Sequence, residues 1–192
     1  MFPPVYILRH GQTEWNAQLR IQGRLDSRLT DLGRDQARAQ RGILQARDLS
    51  GFGALSSPQG RAFHTAAIAL EGIAPCIETD TRLMEIGVGA WEGLYRVDLP
   101  LTQPQDQSEE SALELYRMAP GGEGFAALHR RCHEFLTDLS KPSILVTHGI
   151  TSRMLRLVLL GRDISEIGDL PGGQGVIYHL EHGKMHQLTI GA

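Results

Sequence analysis

Three short apolar runs, each closed by polar or glycine residues and followed by a helix-patterned stretch, constrain this chain more than any other feature. Val5 to Leu8 is continuous and partly β-branched, with prolines before it and "RHG" after it, which suits a buried strand. "GALSS" at 53–57 reads as a second strand, with "GRAFHTAAIALEG" as the helix behind it. "SILVTHG" at 143–149 repeats the arrangement: Ile144 to Val146 are buried-strand residues, and "ITSRMLRLVLLG" is a helix ending at Gly161. A helix is also predicted from Thr13 to Leu19. Thr30 is a candidate N-cap for the next helix, with Asp31 favourable to its dipole and Leu32, Ala39, Ile43 and Leu44 as its apolar stripe. The end of the chain, "GVIYHLEHGKMHQLTI", predicts two strands joined at "EHGK". Alternation of strand, loop and helix predicts a three-layer α/β/α sandwich around a largely parallel sheet.

A length of 192 residues fits one domain with a full core, and residues 1–192 are read as one. The Pro/Gln/Ser/acid-rich stretch at 98–112 reads as part of a surface excursion, because the pieces flanking it are too short to stand alone. A net charge of −3 without long charged runs gives no reason to expect a nucleic-acid or membrane partner. Arginine supplies 17 of the 19 basic residues, a bias compatible with planar anion recognition and equally with codon usage. Cys76 and Cys132 lack C-x-x-C spacing and are predicted to be small buried hydrophobes. No secretory n-region and no run of about 20 apolar residues is present, so a cytoplasmic protein is expected.

In open α/β sheets, ligands bind beyond the carboxyl ends of the strands, near a switch in strand order. Arg9 and His10 follow the first predicted strand, Arg61 comes soon after the second, and His148 and Gly149 follow the third. Two arginines and two histidines at one sheet edge describe an anion pocket, to which a helix opening at Gly149 adds backbone N–H groups. Taken alone, His10 reads equally well as a satisfied strand-end histidine. "GFGALS" lacks the third glycine of a dinucleotide fingerprint, and the P-loop, G-x-S-x-G and H-E-x-x-H patterns are absent. His129 and His133 are four apart on a predicted helix but have no third ligand at readable spacing, so they are read as solvated. No metal and no cofactor is expected.

"RHGQTEWNAQLRIQGRLDSRLTDLGRDQA", "SSPQGRAFHTA", "LMEIGVGAWEG" and "LVTHG", in that order, resemble the histidine phosphatase superfamily in its phosphoglycerate-mutase-like branch. The resemblance covers nearly the whole chain. It implies that His10 is a nucleophile that becomes a phosphohistidine, one difficult displacement being split into two easier ones. Arg9, Arg61 and His148 then clamp the phosphoryl oxygens, and the arginines near His10 are expected to hold its pKa down. Glu85 takes the place of the proton donor, with a pKa expected to be raised beside phosphate, and Glu92 is the runner-up. Asn16, Gln22 and Gly23 match accessory phosphate contacts.

Gln12, Arg28 and Gly124 depart from frequent family residues and bear on substrate choice more than on chemistry. Residues 90–120 are expected to shape a substrate lid. Mutases of the family are longer and carry a block resembling "ERHYG-LQG" where this chain has "EIGVGAWEGLY". The resemblance therefore implies a metal-independent phosphatase for small phosphorylated metabolites, with mutase-type transfer or a non-catalytic phosphate-binding module as alternatives. It assigns no oligomeric state.

Overall fold

The computed structural model describes residues 2–99 and 109–189. Its strands are β1 (Val5–Arg9), β2 (Gly53–Ser56), β3 (Glu78–Thr79), β4 (Ser143–Thr147), β5 (Ile177–Glu181) and β6 (Lys184–Leu188). They form one sheet in the order β3-β2-β4-β1-β5-β6, parallel through the first four strands and antiparallel at β5 and β6. The helices are α1 (Glu14–Ala17), α2 (Asp31–Gln45), α3 (Gly60–Ala69), α4 (Glu109–Met118), α5 (Gly124–Asp138) and α6 (Gly149–Leu159).

Strand pleating sorts the core into two layers. Val5 and Ile7 of β1 join Leu145 of β4 in a cluster with Leu128, Cys132 and Leu136 of α5 and Met154 and Leu155 of α6. Tyr6 and Leu8, with Ile144 and Val146, face the other way onto Ile43 and Leu44 of α2 and Ala66 and Ala69 of α3. Helices thus cover both faces, and β1 and β4 are buried on both sides, as their continuous apolar runs require. Ile7 is fully buried, and truncating it to alanine should cost about 2–5 kcal/mol.

Several expectations need correction. The first helix spans only Glu14–Ala17, because Thr13 and Asn16 close a capping box and Leu19 turns into left-handed backbone at φ 55°. In α2 the buried positions are Gly33, Ala37, Gln40, Ile43 and Leu44, whereas Leu32 is exposed. Backbone packing sets this rotation: a Cβ on Gly11 would lie 2.1 Å from the Gly33 carbonyl oxygen, so the two glycines bring α2 directly onto the loop after β1. Gln40 can then be buried because its amide donates to the Arg9 and Val176 carbonyls. Cys76 is exposed, whereas Cys132 is in the core with its thiol pushed by burial up to about 12. Of the excursion, residues 100–108 lie outside the described residues. Among the described residues no helix is long and apolar enough to cross a membrane.

Candidate active site

Strand register brings the candidate residues together. Arg9 of β1 pairs with Thr147 of β4, so His10 and His148, one residue further along each strand, are neighbours with ring centroids 5.2 Å apart. β2 flanks β4 on its other side with Ser56 opposite Val146, which delivers Ser57 and then α3 with Arg61 to the same edge. The helices after β1 and β4 cover opposite faces of the sheet, and the crevice between these two strand ends is the switch point where open α/β sheets bind ligands.

The two histidines are buried, and a backbone carbonyl fixes the tautomer of His10. His10 Nδ1 lies 2.7 Å from the Gly11 carbonyl oxygen, which can only accept, so Nδ1 carries the proton and Nε2 keeps its lone pair. Burial, then the charges of Arg61 and Arg9, hold the His10 pKa well below the usual histidine range, so the ring is neutral. His148 Nε2 lies 2.8 Å from Ser57 Oγ, which also accepts from the Gln59 backbone N–H at 3.2 Å. When the Ser57 hydroxyl donates to Nε2, the His148 proton is on Nδ1. That atom is buried and has no hydrogen-bond partner among the described residues. Burial and the Arg61 charge lower the His148 pKa well below its ordinary value too.

Arg61 is 2% exposed and braced from one side. Nη1 donates to the Leu25 carbonyl at 2.6 Å and to Asp26 at 3.1 Å, and Nη2 donates to the Gly23 carbonyl at 3.0 Å. Its Nε is buried without a partner among the described residues. Thr65 ties this helix to the first loop, accepting from the Gly11 N–H at 3.1 Å and donating to the Arg61 carbonyl at 2.8 Å. Glu85 is buried at the start of α6: Oε2 accepts from the Ile150 N–H at 3.2 Å, and Oε1 from the Ile86 and Thr151 N–H groups at 3.0 and 3.1 Å. Gln59 bridges both sides, accepting from the Glu85 N–H at 2.7 Å and donating to the Gly23 carbonyl at 3.0 Å.

His10, Arg61, Glu85 and His148 therefore converge; Arg61 interacts electrostatically with all three partners. Arg9 joins them: a Cβ on Gly149 would lie 3.3 Å from the Arg9 guanidinium carbon, so that glycine lets the cation sit against the start of α6. The α6 amides differ from expectation, since those of Ile150 and Thr151 serve Glu85. Asn16 Oδ1 accepts from Thr13 N–H and Gln174, Gln22 Oε1 accepts from Ser27, and Gly23 contributes its carbonyl to Arg61. Glu92 lies apart from the Glu85 pocket in its bonding, accepting from the Arg24 backbone N–H at 2.9 Å. Arg9, Glu85 and Gly149 also line a cavity of about 70 Å³ whose other walls include Arg96, Tyr116 and Arg153, which extends the cationic lining outward.

Sequence reasoning missed Asp26, Ser57, Gln59, Thr65 and Thr151, the partners that orient the predicted groups. Asp26, Ser57, Gln59 and Thr65 lie inside the quoted blocks and Thr151 just after one, and their position is the signal they carry, since isolated serines, threonines and glutamines are ordinary at strand ends and helix starts.

The crevice is buried and cationic, with two buried nitrogens that have no partner among the described residues and a neutral imidazole beside them. Residues 5–189 match the histidine phosphatase superfamily (branch 1), and the chain belongs to that family. It is 34% identical over 182 residues to a glucosyl-3-phosphoglycerate phosphatase of Mycolicibacterium vanbaalenii, covering 88% of this chain and 79% of that one. It is also 36% identical over 165 residues to a probable phosphoglycerate mutase of Salmonella paratyphi C, covering 82% and 74%. A mycobacterial glucosyl-3-phosphoglycerate phosphatase solved with VO3 superposes with a TM-score of 0.81 at 29% identity, covering 97% of this chain and 98% of that one.

Proposed function

We propose that this chain hydrolyses small phosphomonoesters through a phosphohistidine at His10. The observation that carries the reading is the pair of buried nitrogens without a partner among the described residues, Arg61 Nε and His148 Nδ1, beside a histidine whose Nε2 lone pair is left available. A buried donor without a partner costs about 1–3 kcal/mol, a cost that a bound phosphoryl group removes.

In the first step His10 Nε2 attacks phosphorus, the ester P–O bond breaks, and protonated Glu85 gives its proton to the leaving oxygen. The N–P bond puts positive charge on the ring, which its Nδ1–H bond to the Gly11 carbonyl stabilises. In the second step Glu85, now a carboxylate, takes a proton from water as that water attacks phosphorus, and His10 departs neutral. Arg9, Arg61 and His148 neutralise the equatorial oxygens in both transfers.

Quenching the reaction with a labelled phosphomonoester, in EDTA, should trap an acid-labile, alkali-stable phosphoryl group on wild-type protein and none on His10→Ala. Equal labelling of both would overturn the nucleophile assignment. The similarity to a probable mutase favours a second reading, transfer to a sugar-acid hydroxyl. Isomerisation of 3-phosphoglycerate that depends on added 2,3-bisphosphoglycerate would establish it; release of inorganic phosphate alone supports hydrolysis.

A further inference from the structure

The hydroxyl of Thr151, a fully buried residue in the first turn of α6, has more acceptors than hydrogens. Its Oγ1 lies 2.8 Å from the Met84 carbonyl oxygen and 3.1 Å from Glu85 Oε1. One hydrogen serves one of them at a time, and rotation about the C–O bond exchanges them without moving a heavy atom. A carboxylate attracts this donor more strongly than a neutral carbonyl, because charge-assisted hydrogen bonds are roughly twice as strong as neutral ones.

The two oxygens of Glu85 are also unequal. Among the described residues, Oε1 is approached by the Ile86 N–H, the Thr151 N–H and the Thr151 hydroxyl, and Oε2 by the Ile150 N–H alone. Oε1 is thus the anchored oxygen and Oε2 the one with room for a proton.

We propose that Thr151 is a positioning residue for proton transfer, its hydroxyl donating to Glu85 Oε1 while Glu85 is a carboxylate and turning to the Met84 carbonyl while Oε2 carries the proton. The carboxyl group keeps one orientation through both states, as an acid that becomes a base within one turnover requires. This rests on the reading of Glu85 as the proton-transfer group, and the test separates the two.

The test compares an alkyl phosphate such as glycerol 3-phosphate, whose leaving oxygen needs a proton, with p-nitrophenyl phosphate, whose leaving oxygen needs little help. Thr151→Val should lower kcat on the alkyl ester about tenfold, a modest share of what misplacing a reacting group costs. It should lower kcat on the nitrophenyl ester at most about threefold and move KM less than kcat on both. Thr151→Ser, which restores the hydroxyl, should recover most of the alkyl-ester rate. Added to Glu85→Gln, Thr151→Val should cost nothing more, because it acts through the group already removed. Equal losses on both esters, or a serine variant as impaired as the valine one, would overturn the proposal. If Glu85→Gln itself shows no dependence on leaving group, the reading of Glu85 fails and the role of Thr151 with it; if it does and Thr151→Val does not, only the role of Thr151 fails. Should the valine variant not fold, Thr151→Ala removes the same hydroxyl without adding bulk and decides the question by the same ratio.

Discussion

His10 and Glu85 are both buried in one crevice, and they are held in opposite ways. The partner of His10 Nδ1 is a backbone carbonyl, which accepts and never donates, so the ring has one tautomer. Around Glu85 stand three backbone N–H groups and a hydroxyl that can turn between two acceptors. A nucleophile must present the same lone pair at the start of every cycle, whereas an acid–base group must be stable in two protonation states. The contrast in partners matches the contrast in the tasks proposed for them.

Removing His10 should give the largest effect. His10→Ala is expected to lower kcat about 10⁴-fold or more, as loss of a covalent nucleophile does, and to do so equally for good and poor leaving groups. Glu85→Gln should follow, with a loss of about 10²- to 10⁴-fold on alkyl esters and a much smaller one on p-nitrophenyl phosphate. A steady-state series across leaving groups checks both, and similar slopes for the two variants would erase the distinction between the two sides of the site. Ser57→Ala, which removes the partner of His148 Nε2, should cost about tenfold in kcat/KM, the scale of one buried hydrogen bond.

The smallest effect is on stability. His10 and His148 both have folded-state pKa values well below the ordinary histidine value, through burial and arginine charge. Below about pH 6.5 the unfolded chain takes up protons that the folded chain refuses. Stability is therefore full above that pH and falls as the pH drops from about 6.5 toward the folded-state values. Urea unfolding between pH 7 and 5 should show this slope, and a His10→Gln/His148→Gln double variant should show less of it.

The sheet was legible in the sequence because the strands of a doubly covered sheet must be continuous apolar runs, and "VYIL" and "SILV" have that form. Thr30 and the "EHGK" turn were legible through local chemistry: one caps α2 by accepting from the Gly33 N–H, and the other joins β5 to β6. The rotation of α2 was not, since it is set by the approach of Gly11 to Gly33 across a distance in sequence that no helical period encodes. The strand-end argument alone located His10, Arg9, Arg61 and His148, and the family resemblance added Glu85. What neither showed was the set of hydrogen-bond partners: that Gly11 accepts from His10, and that Ser57 and Thr151 meet His148 and Glu85, is a property of three-dimensional contacts. That Glu85 arrives from elsewhere in the chain to take the Ile150 and Thr151 amides of α6 was hidden for the same reason.

The claim that His10 is held in a single neutral form is most directly tested by nitrogen-15 NMR of the labelled imidazoles between pH 5 and 8, with His10→Gln used to assign the signals. The structure predicts that at pH 6.5, where an ordinary histidine is half protonated, His10 shows a protonated Nδ1 and an unprotonated Nε2. A His10 ring that titrates near pH 6.5, or that carries its proton on Nε2, would contradict it.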